Sequence, residues 1–317
     1  MQEKQKVIVI CGPTASGKTS LSIEIAKRIN GEIVSADSMQ IYKDMDIGTA
    51  KPSKEEMQGI KHYLMDFVSP EERYSVAQYK KDAKQAIKKI LSEGKVPIVV
   101  GGTGLYVDSL IYEIEYDDIE LDEEYRNELE KYIDSEGLES LYQRAVKIDP
   151  EAMEKISHND KKRIMRVLEI YHSTGKTKTE QEKESRKNPV EFNYKVYALD
   201  WPREILYDRI NQRVDIMIEQ GLVDEVKSIL EKYNKFPTAM QGLGYKEVVQ
   251  FLEGKYTEEE MIEKIKMETR RYAKRQLTWF RKNKETIWLK GNDEIQNNID
   301  IILEGINWKK IIIQKVN

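Results

Sequence analysis

The octapeptide Gly12-Pro13-Thr14-Ala15-Ser16-Gly17-Lys18-Thr19 matches the phosphate-loop pattern G-x-x-x-x-G-K-[S/T] at every fixed position. A β-branched run, residues 7–11, precedes it, and Leu21, Ile25 and Ile29 follow at helical spacing. The sequence therefore predicts a strand, a glycine-rich loop and a helix in that order, which is the arrangement that binds phosphate groups. A plain glycine turn is the alternative, and the flanking strand and helix disfavour it.

The residue types in this loop indicate which ligand it binds. Glycines allow the backbone to wrap a phosphate, and successive N–H groups at the start of the helix face the anion. The ammonium of Lys18 would neutralise negative charge, and the hydroxyl of Thr19 would ligate Mg²⁺. We therefore expect phosphate binding with Mg²⁺ as cofactor. The scattered histidines show no spacing typical of a metal cage, so we expect no other metal site.

Short β-branched runs alternate with longer helical patterns along most of the chain, which is typical of βαβ units. The runs are residues 6–11, 32–35, 62–67, 96–100, 194–199 and 286–289. The alternation stops between about residues 116 and 189, where the sequence is rich in Glu, Lys and Arg and its apolar residues recur at helical spacing. The sequence predicts an α/β fold with two parts. The first is a phosphate-loop core with a parallel sheet flanked by helices, residues 1–116 and 190–317, and the second is a helical insertion domain, residues 117–189.

Composition indicates a protein of a reducing compartment. The 317 residues include one cysteine, Cys11, which excludes an intrachain disulfide framework and a cysteine-rich zinc site. The apolar run 7–11 is too short for a signal peptide or a membrane-spanning helix. We therefore expect a cytoplasmic monomer with no membrane role. The net charge of −4 argues against a uniformly basic nucleic-acid-binding protein, but residues 270–284 carry seven bases and no acid.

Two further segments are expected beside the phosphate loop, because ligands of parallel sheets lie beyond the carboxyl ends of the strands. The second run is followed by Asp37, and the fourth is followed by Gly101-Gly102-Thr103-Gly104. We expect Asp37 to open on the same crevice as Lys18, and the glycines to permit close approach of a substrate. Alternatively, Asp37 only caps a helix and the glycines only turn the chain. The residues alone leave both interpretations open.

Seven segments resemble, in order, those of bacterial tRNA dimethylallyltransferases, also called tRNA isopentenyltransferases. They are GPTASGKT from Gly12, SADSMQIYKDMDIGTAKP from Ser35, VPIVVGGTGLY from Val96, NDKKRIMRVLEIYHSTGK from Asn159, REILYDRINQRVDIMIEQGLVDEV from Arg203, QGLGYKE from Gln241 and TRRYAKRQLTWFRK from Thr269. The first segment alone indicates only phosphate binding. The DSxxIYxxMDIGTAKP and AKRQLTWFR stretches are the ones that point to this family.

The resemblance implies transfer of the dimethylallyl group from dimethylallyl diphosphate to the exocyclic amine of the adenosine 3′-adjacent to the anticodon, with release of diphosphate. The acceptors would be tRNAs that read codons beginning with U. The resemblance also implies Asp37 as the catalytic base, assisted by Lys18, Thr19, Thr103 and Arg213. By the same correspondence, diphosphate would be bound by Gly12, Pro13, Thr14, Ala15, Ser16, Gly17, Lys18 and Thr19.

The tRNA anticodon stem-loop is the partner that the resemblance implies. An adenine stacked in that loop has to be flipped out before it can enter a crevice, so the RNA must be gripped from both sides. Without the resemblance, the basic stretch 270–284 would indicate a solvated helix. The implied contacts are Arg126, Lys162, Arg163, Ile164, Met165 and Arg166 in the insertion, and Asp37, Ser38, Met39, Gln40, Thr103, Gln241, Gly242, Leu243, Gly244, Tyr245, Lys246 and Arg275 in the core.

Three other functions use some of the same features. A small-molecule kinase or ATPase would share the loop, but it has no use for the insertion or the basic C-terminal helix. An adenylate isopentenyltransferase would prenylate a free nucleotide, whereas the basic insertion and the QGLGYK segment favour an RNA acceptor. A non-enzymatic RNA-binding module would have no need of the intact Lys18-Thr19 pair.

Overall fold

The structure is a computed structural model, and it describes residues 4–115, 122–185 and 187–306 of the chain. Its contacts divide the chain into two compact units. The core unit consists of residues 1–111 and 191–317, and the helical unit consists of residues 112–190. Among the described residues, none of the helices combines the length and apolar character needed to span a membrane.

Helices make up a large part of both units. Helices α5 to α9 belong to the helical unit and the others to the core unit. In chain order they are α1 (Lys18–Ile29), α2 (Lys54–Met57), α3 (Val76–Ser92), α4 (Gly104–Ile111), α5 (Glu123–Glu136), α6 (Leu138–Ile148), α7 (Pro150–Met153), α8 (Lys161–Thr174), α9 (Lys178–Ser185), α10 (Arg203–Glu219), α11 (Leu222–Lys232), α12 (Tyr245–Leu252), α13 (Glu258–Phe280) and α14 (Ile295–Gly305).

The core unit is organised around one sheet with the strand order β3-β2-β4-β1-β5-β6. Every neighbouring pair runs parallel, and Ile10 in the centre lies opposite Val100 on one side and Tyr197 on the other. The prediction of an α/β fold with a parallel sheet is confirmed. The strands are β1 (Lys6–Cys11), β2 (Gly31–Ser35), β3 (His62–Tyr63), β4 (Val96–Gly101), β5 (Asn193–Asp200) and β6 (Ile287–Lys290).

Helices cover both faces of this sheet. Val9 of β1 belongs to a core that includes Tyr79 of α3 and Leu110 of α4. Its neighbour Ile8 points to the opposite face and belongs to a second core with Ile25 of α1. Because both faces are buried, the central strands have continuous apolar sequences in place of an alternating pattern. For this reason, short runs of β-branched residues were sufficient to predict the central strands.

Strand β3 is shorter than the predicted run of residues 62–67. It contains only His62–Tyr63 at the edge of the sheet. Leu64 and Asp66 have φ angles of 61° and 56°, which are left-handed conformations that cannot continue a strand. The apolar run therefore turns away from the sheet after two residues.

The helical unit has its own hydrophobic core. Leu141 of α6 is buried there with Ile164, Met165 and Leu168 of α8, and Leu129 of α5 completes the cluster. Each of these side chains is at most 1% exposed. The buried face of α8 is therefore occupied by packing within the unit, which leaves only the other face of this helix for ligands.

Glu225 of α11 fixes a turn of the core unit that has no regular secondary structure. Its carboxylate accepts hydrogen bonds from the backbone N–H groups of Asp46, Ile47 and Gly48, at 3.0, 2.7 and 3.1 Å. It also accepts from the hydroxyl of Tyr245 at 2.7 Å. Four donors on one carboxylate tie the 46–48 turn to two helices, because a charged acceptor strengthens each bond.

We predict that Glu225→Gln lowers the free energy of unfolding by about 1–3 kcal/mol, because an amide has one acceptor oxygen and leaves backbone N–H groups unsatisfied. Urea unfolding followed by circular dichroism measures this change. The control is Asp224→Asn, whose side chain is 82% exposed beside Lys227 on the same helix. Equal unfolding midpoints for the two variants would show that the turn does not depend on Glu225.

Candidate active site

A cavity of about 350 Å³ in the core unit lies at the carboxyl ends of β1, β2 and β4. Its wall carries Lys18 and Thr19 of the phosphate loop, Asp37 after β2 and Arg213 of α10. This is the edge at which parallel sheets bind ligands. We call this cavity the cleft. The expectation that Asp37 opens on the same crevice as Lys18 agrees with this placement.

The phosphate loop joins β1 to α1 in a conformation that leaves room for an anion. Gly12 and Gly17 have φ angles of 138° and 88°, which disfavour other residues. A side chain at Gly12 would also meet the backbone oxygen of Leu199 at 3.1 Å. Helix α1 begins after Gly17 without a side-chain cap. Its first N–H groups therefore remain available to phosphate oxygens.

Lys18 is the cation at the centre of the loop. Its Nζ donates a hydrogen bond to the backbone oxygen of Pro13 at 2.6 Å. Burial lowers the pKa of Lys18, the positive charge of Arg213 adds to this effect, and Asp37 opposes it, so that the pKa is about 8. Burial also lowers the pKa of Arg213, with Asp37 again opposing. Two cations with depressed pKa values share one carboxylate, so the cleft is electrostatically prepared for an anionic ligand.

Asp37 lies two residues after the end of β2, and its two carboxylate oxygens differ in their contacts. Its Oδ1 accepts hydrogen bonds from the N–H groups of Met39, at 2.9 Å, and Gln40, at 3.3 Å. These contacts are those of a turn-capping aspartate. Both use the same oxygen, and Oδ2 has no hydrogen bond within the described residues. Asp37 can therefore hold the turn with one oxygen and contact a substrate with the other.

The glycine-rich segment after β4 brings Thr103 next to this turn. The Thr103 hydroxyl accepts a hydrogen bond from the N–H of Ser38 at 3.0 Å, and its own N–H donates to the oxygen of Ala36 at 3.1 Å. A side chain at Gly101 would approach Ala36 O to 2.1 Å, so only glycine permits this contact. The two strand ends are thereby locked together, which fixes Thr103 and Asp37 relative to each other.

Helix α13 contributes a residue that the sequence did not single out. The amide of Gln276 accepts a hydrogen bond from the N–H of Thr14 and donates one to the oxygen of Gly102, each at 2.9 Å. It thus joins the phosphate loop to the glycine-rich segment. Tyr272, one turn earlier on α13, also lines the cleft, and burial raises its pKa. Tyr272 and Gln276 are four residues apart, so their side chains lie on the same face of a helix, and this spacing was the signal in the sequence that could have identified them.

The core segments that the resemblance assigned to RNA contact lie along the same cleft. Ser38, Met39 and Gln40 line one part, and Gln40 donates hydrogen bonds to the backbone oxygens of Thr49 and Ala50, both at 3.2 Å. The segment 241–246 and Arg275 also line the cleft.

Within segment 241–246, the side chains differ in accessibility. Gln241 and Lys246 are exposed and Leu243 is half-buried, whereas Gly242 and Gly244 are buried. Tyr245 is 1% exposed and its hydroxyl donates a hydrogen bond to Glu225, so its side chain anchors the segment to the protein interior. Direct contacts to an acceptor would come from the exposed side chains and the backbone.

The proposed RNA contacts in the helical unit separate into exposed and buried residues. Lys162 and Arg163 are exposed, and Arg163 lies 3.4 Å from Asp160. Arg126 and Arg166 lie 2.9 and 3.5 Å from the buried carboxylate of Glu169.

Ile164 and Met165 differ from these cations, because they are 0% and 1% exposed in the core of the helical unit. Their side chains are occupied by packing and face away from solvent. Any RNA contact from this part of α8 would therefore come from Lys162, Arg163 and Arg166.

The donor set of the cleft fits Mg²⁺ of the kind that accompanies phosphate substrates. Among the described residues, there is no cluster of three His, Cys, Asp or Glu side chains that could cage a metal. Mg²⁺ at phosphate sites needs few protein ligands, because phosphate oxygens and water complete its octahedron. Thr19 supplies a hydroxyl on the cleft wall, and Asp37 lies on the same wall. These residues suit a metal held mainly by the substrate.

Comparisons with known proteins agree with this site. The tRNA dimethylallyltransferase of Acetivibrio thermocellus is 54% identical over 297 residues, which cover 93% of this chain and 95% of that protein. The crystal structure of the full-length tRNA isopentenylpyrophosphate transferase from Bacillus halodurans is 41% identical with a TM-score of 0.72, covering 99% and 100% of the two chains. A eukaryotic dimethylallyltransferase acting on tRNA is 37% identical with a TM-score of 0.77, covering 91% and 74%.

A family model also matches this chain. The model for IPP transferase matches residues 40–283, which is most of the chain and includes the helical unit and α13. The alignments with the relatives extend over both units. This chain therefore belongs to the IPP transferase family.

Proposed function

We propose that this protein transfers the dimethylallyl group from dimethylallyl diphosphate to the exocyclic amine of the adenosine 3′-adjacent to the anticodon in tRNA. The observation that carries the proposal is the cleft itself. It places a phosphate loop, the carboxylate of Asp37 and the segments 38–40 and 241–246 around one space. A donor diphosphate and an acceptor base can therefore meet there.

The phosphate loop would hold a leaving group in this reaction. When the bond between the allylic carbon and oxygen breaks, negative charge accumulates on diphosphate, and the allylic carbon is stabilised by its own double bond. Lys18, Arg213 and the free N–H groups of α1 provide the stabilisation that the departing anion needs. The loop would act in the same way on a departing diphosphate as other such loops act on a transferred phosphoryl group.

Mg²⁺ is the cofactor that we propose for this site, with the Thr19 hydroxyl as its protein ligand. When bound, the metal would supply additional positive charge to the diphosphate oxygens. The remaining chemistry would belong to the residues of the chain.

Asp37 would act as the general base. Its Oδ1 is held by the turn, which orients the carboxylate, and Oδ2 would accept a proton from the adenine amine as the new carbon–nitrogen bond forms. The amine is a weak nucleophile because its lone pair is delocalised into the ring, so removal of its proton assists the attack. Thr103, fixed beside Ser38, would help to orient the acceptor base.

The helical unit would grip the anticodon stem-loop as its partner. The cations Arg126, Lys162, Arg163 and Arg166 would bind phosphates, while the adenine is flipped out and enters the cleft of the core unit. Unstacking costs a few kcal/mol, which these contacts would offset. We propose the insertion domain, residues 117–189, as the part of the chain that has this role.

The proposal also includes the choice of tRNA, the location and the oligomeric state. The substrates would be tRNAs that read codons beginning with U, and the enzyme would act in the cytoplasm as a monomer. A small-molecule kinase or an adenylate isopentenyltransferase is not favoured, because relatives that align over more than nine tenths of the chain carry the name tRNA dimethylallyltransferase.

A direct assay tests the proposed function. The protein is incubated with dimethylallyl diphosphate, Mg²⁺ and unmodified tRNA that reads codons beginning with U, and the RNA is digested to nucleosides for mass spectrometry. We expect an isopentenyl adenosine. Parallel reactions with free adenosine monophosphate and with ATP plus small-molecule acceptors report the two alternative activities. Product only in one of those reactions would contradict the proposal.

We predict that Asp37→Asn slows the chemical step by about 100-fold or more, equal to about 2.7 kcal/mol of barrier. Asparagine keeps an oxygen for the N–H groups of Met39 and Gln40, so the melting temperature should remain close to that of the parent. Single-turnover transfer at saturating substrates measures the rate, and Asp224→Asn is the control. A variant that transfers within a few-fold of the parent rate would rule out Asp37 as the base.

We predict that replacing Arg163 and Arg166 together by Gln weakens tRNA binding and lowers its salt dependence. The slope should fall by about one unit for each RNA phosphate that the two arginines neutralise. Filter binding over a series of salt concentrations measures both quantities. The control replaces Arg144 and Lys155 by Gln, which removes the same charge from exposed positions of the same unit. Equal effects of the two double variants would indicate general electrostatics in place of specific binding.

We predict that the affinity of the free protein for inorganic diphosphate falls as pH rises above about 8. The ammonium of Lys18 binds the anion, and its pKa of about 8 means that the charged form is lost above that pH. Calorimetric titrations compare the parent with Lys18→Arg, in which the cation stays protonated. Because both proteins see the same titration of diphosphate, a parallel pH dependence would show that Lys18 keeps its charge.

A further inference from the structure

The backbone of the phosphate loop is held by two side chains that the phosphate-loop pattern does not contain. The indole Nε1 of Trp201 donates a hydrogen bond to the backbone oxygen of Ser16 at 3.0 Å. The Nε of Arg209 donates one to the backbone oxygen of Ala15 at 2.8 Å. Trp201 directly follows β5, and Arg209 lies on α10. Two consecutive carbonyl groups of the loop are therefore fixed by side chains from distant parts of the sequence.

Fixing these carbonyl groups also fixes the N–H groups on the other side of each peptide. In a planar trans peptide, the C=O and N–H bonds point in opposite directions. The bond to Ala15 O therefore orients the N–H of Ser16, and the bond to Ser16 O orients the N–H of Gly17. N–H groups in successive turn residues are the ones that form an anion-binding nest.

The loop needs this support because its backbone is strained at Ala15. The φ angle of Ala15 is 60°, a left-handed conformation that is unfavourable for a residue with a side chain. Such a conformation persists only when the surrounding structure holds it. The bond from Arg209 acts at the carbonyl of this same residue.

The two supporting side chains also stabilise each other. The guanidinium carbon of Arg209 lies 4.3 Å from the centre of the Trp201 ring. On the sheet side, Gly291 provides the space for the indole, since a Cβ there would lie 2.0 Å from Trp201 Nε1. Gly291 also donates its N–H to Asp200 O at 2.6 Å, at the end of β5. The pair is therefore anchored to the edge of the sheet.

We propose that Trp201 and Arg209 are positioning residues for the diphosphate site. They fix the carbonyl groups of Ala15 and Ser16 by hydrogen bonds, which orients the N–H groups of Ser16 and Gly17 for the anion before it binds. Each acts on the loop through its hydrogen bond to a backbone carbonyl group. The identity of the reaction rests on the proposed function, but the effect on binding of inorganic diphosphate does not.

Trp201→Phe is the most direct test, because it removes the indole N–H without a change of charge. We expect inorganic diphosphate, titrated at fixed Mg²⁺ without tRNA, to bind about 5- to 10-fold more weakly, the effect of one hydrogen bond. Amide hydrogen exchange should accelerate in the peptide that covers residues 12–19 and remain unchanged elsewhere. In steady-state assays, the KM for dimethylallyl diphosphate should rise, while kcat and the KM for tRNA stay within about twofold.

Two variants complete the experiment. Trp288→Phe, the same chemical change on β6, is the control and should bind diphosphate like the parent. Arg209→Met alters a half-buried position on the surface of α10 and should also accelerate exchange in residues 12–19. Diphosphate binding by Trp201→Phe equal to the parent, or accelerated exchange across the whole core unit, would overturn the proposal. Weaker binding in a protein whose parent forms no isopentenyl adenosine would sustain it and reject only the proposed function.

Discussion

The parallel direction of the strands determines where the functional segments of the core unit meet. Because β1, β2 and β4 end at the same edge of the sheet, the segments that follow them must converge there. The phosphate loop follows β1, Asp37 follows β2 and Thr103 follows β4. Close contact at Gly101 then locks two of these ends together. The topology alone thus brings anion-binding groups and a carboxylate to one cleft.

The charges in the cleft explain why this arrangement suits a departing anion. Lys18 and Arg213 are cations whose burial lowers their pKa values, and Asp37 opposes the shift at both. A ligand that brings negative charge relieves this imbalance, and a transition state that concentrates charge on diphosphate relieves it most. The hydrogen bonds from Trp201 and Arg209 to the loop carbonyl groups have a related effect. They orient the backbone N–H groups of the loop before negative charge develops on diphosphate.

Local sequence patterns identified the parts of the structure that local physics determines. The phosphate loop, its flanking strand and helix, and the position of Asp37 follow from spacing and residue type. Strand β3 is shorter than its apolar run because left-handed residues end it, which no periodicity reveals. The residues that hold the phosphate loop in place could not be predicted from the sequence for another reason. Gln276 bonds to Thr14 across 262 residues and Trp201 to Ser16 across 185, so only the fold brings them together.

In the proposed reaction, the phosphate loop holds a diphosphate that leaves with its bridging oxygen. Transfer from dimethylallyl diphosphate that carries ¹⁸O at the bridge between carbon and phosphorus shows which bond breaks. Mass spectrometry of the released diphosphate and the RNA nucleosides locates the label. The account predicts all of the ¹⁸O in diphosphate and an unlabelled isopentenyl adenosine, because the carbon–oxygen bond breaks. Label in free dimethylallyl alcohol together with a diphosphorylated acceptor would show cleavage of the bond between oxygen and phosphorus, with transfer of the diphosphoryl group, and contradict the account.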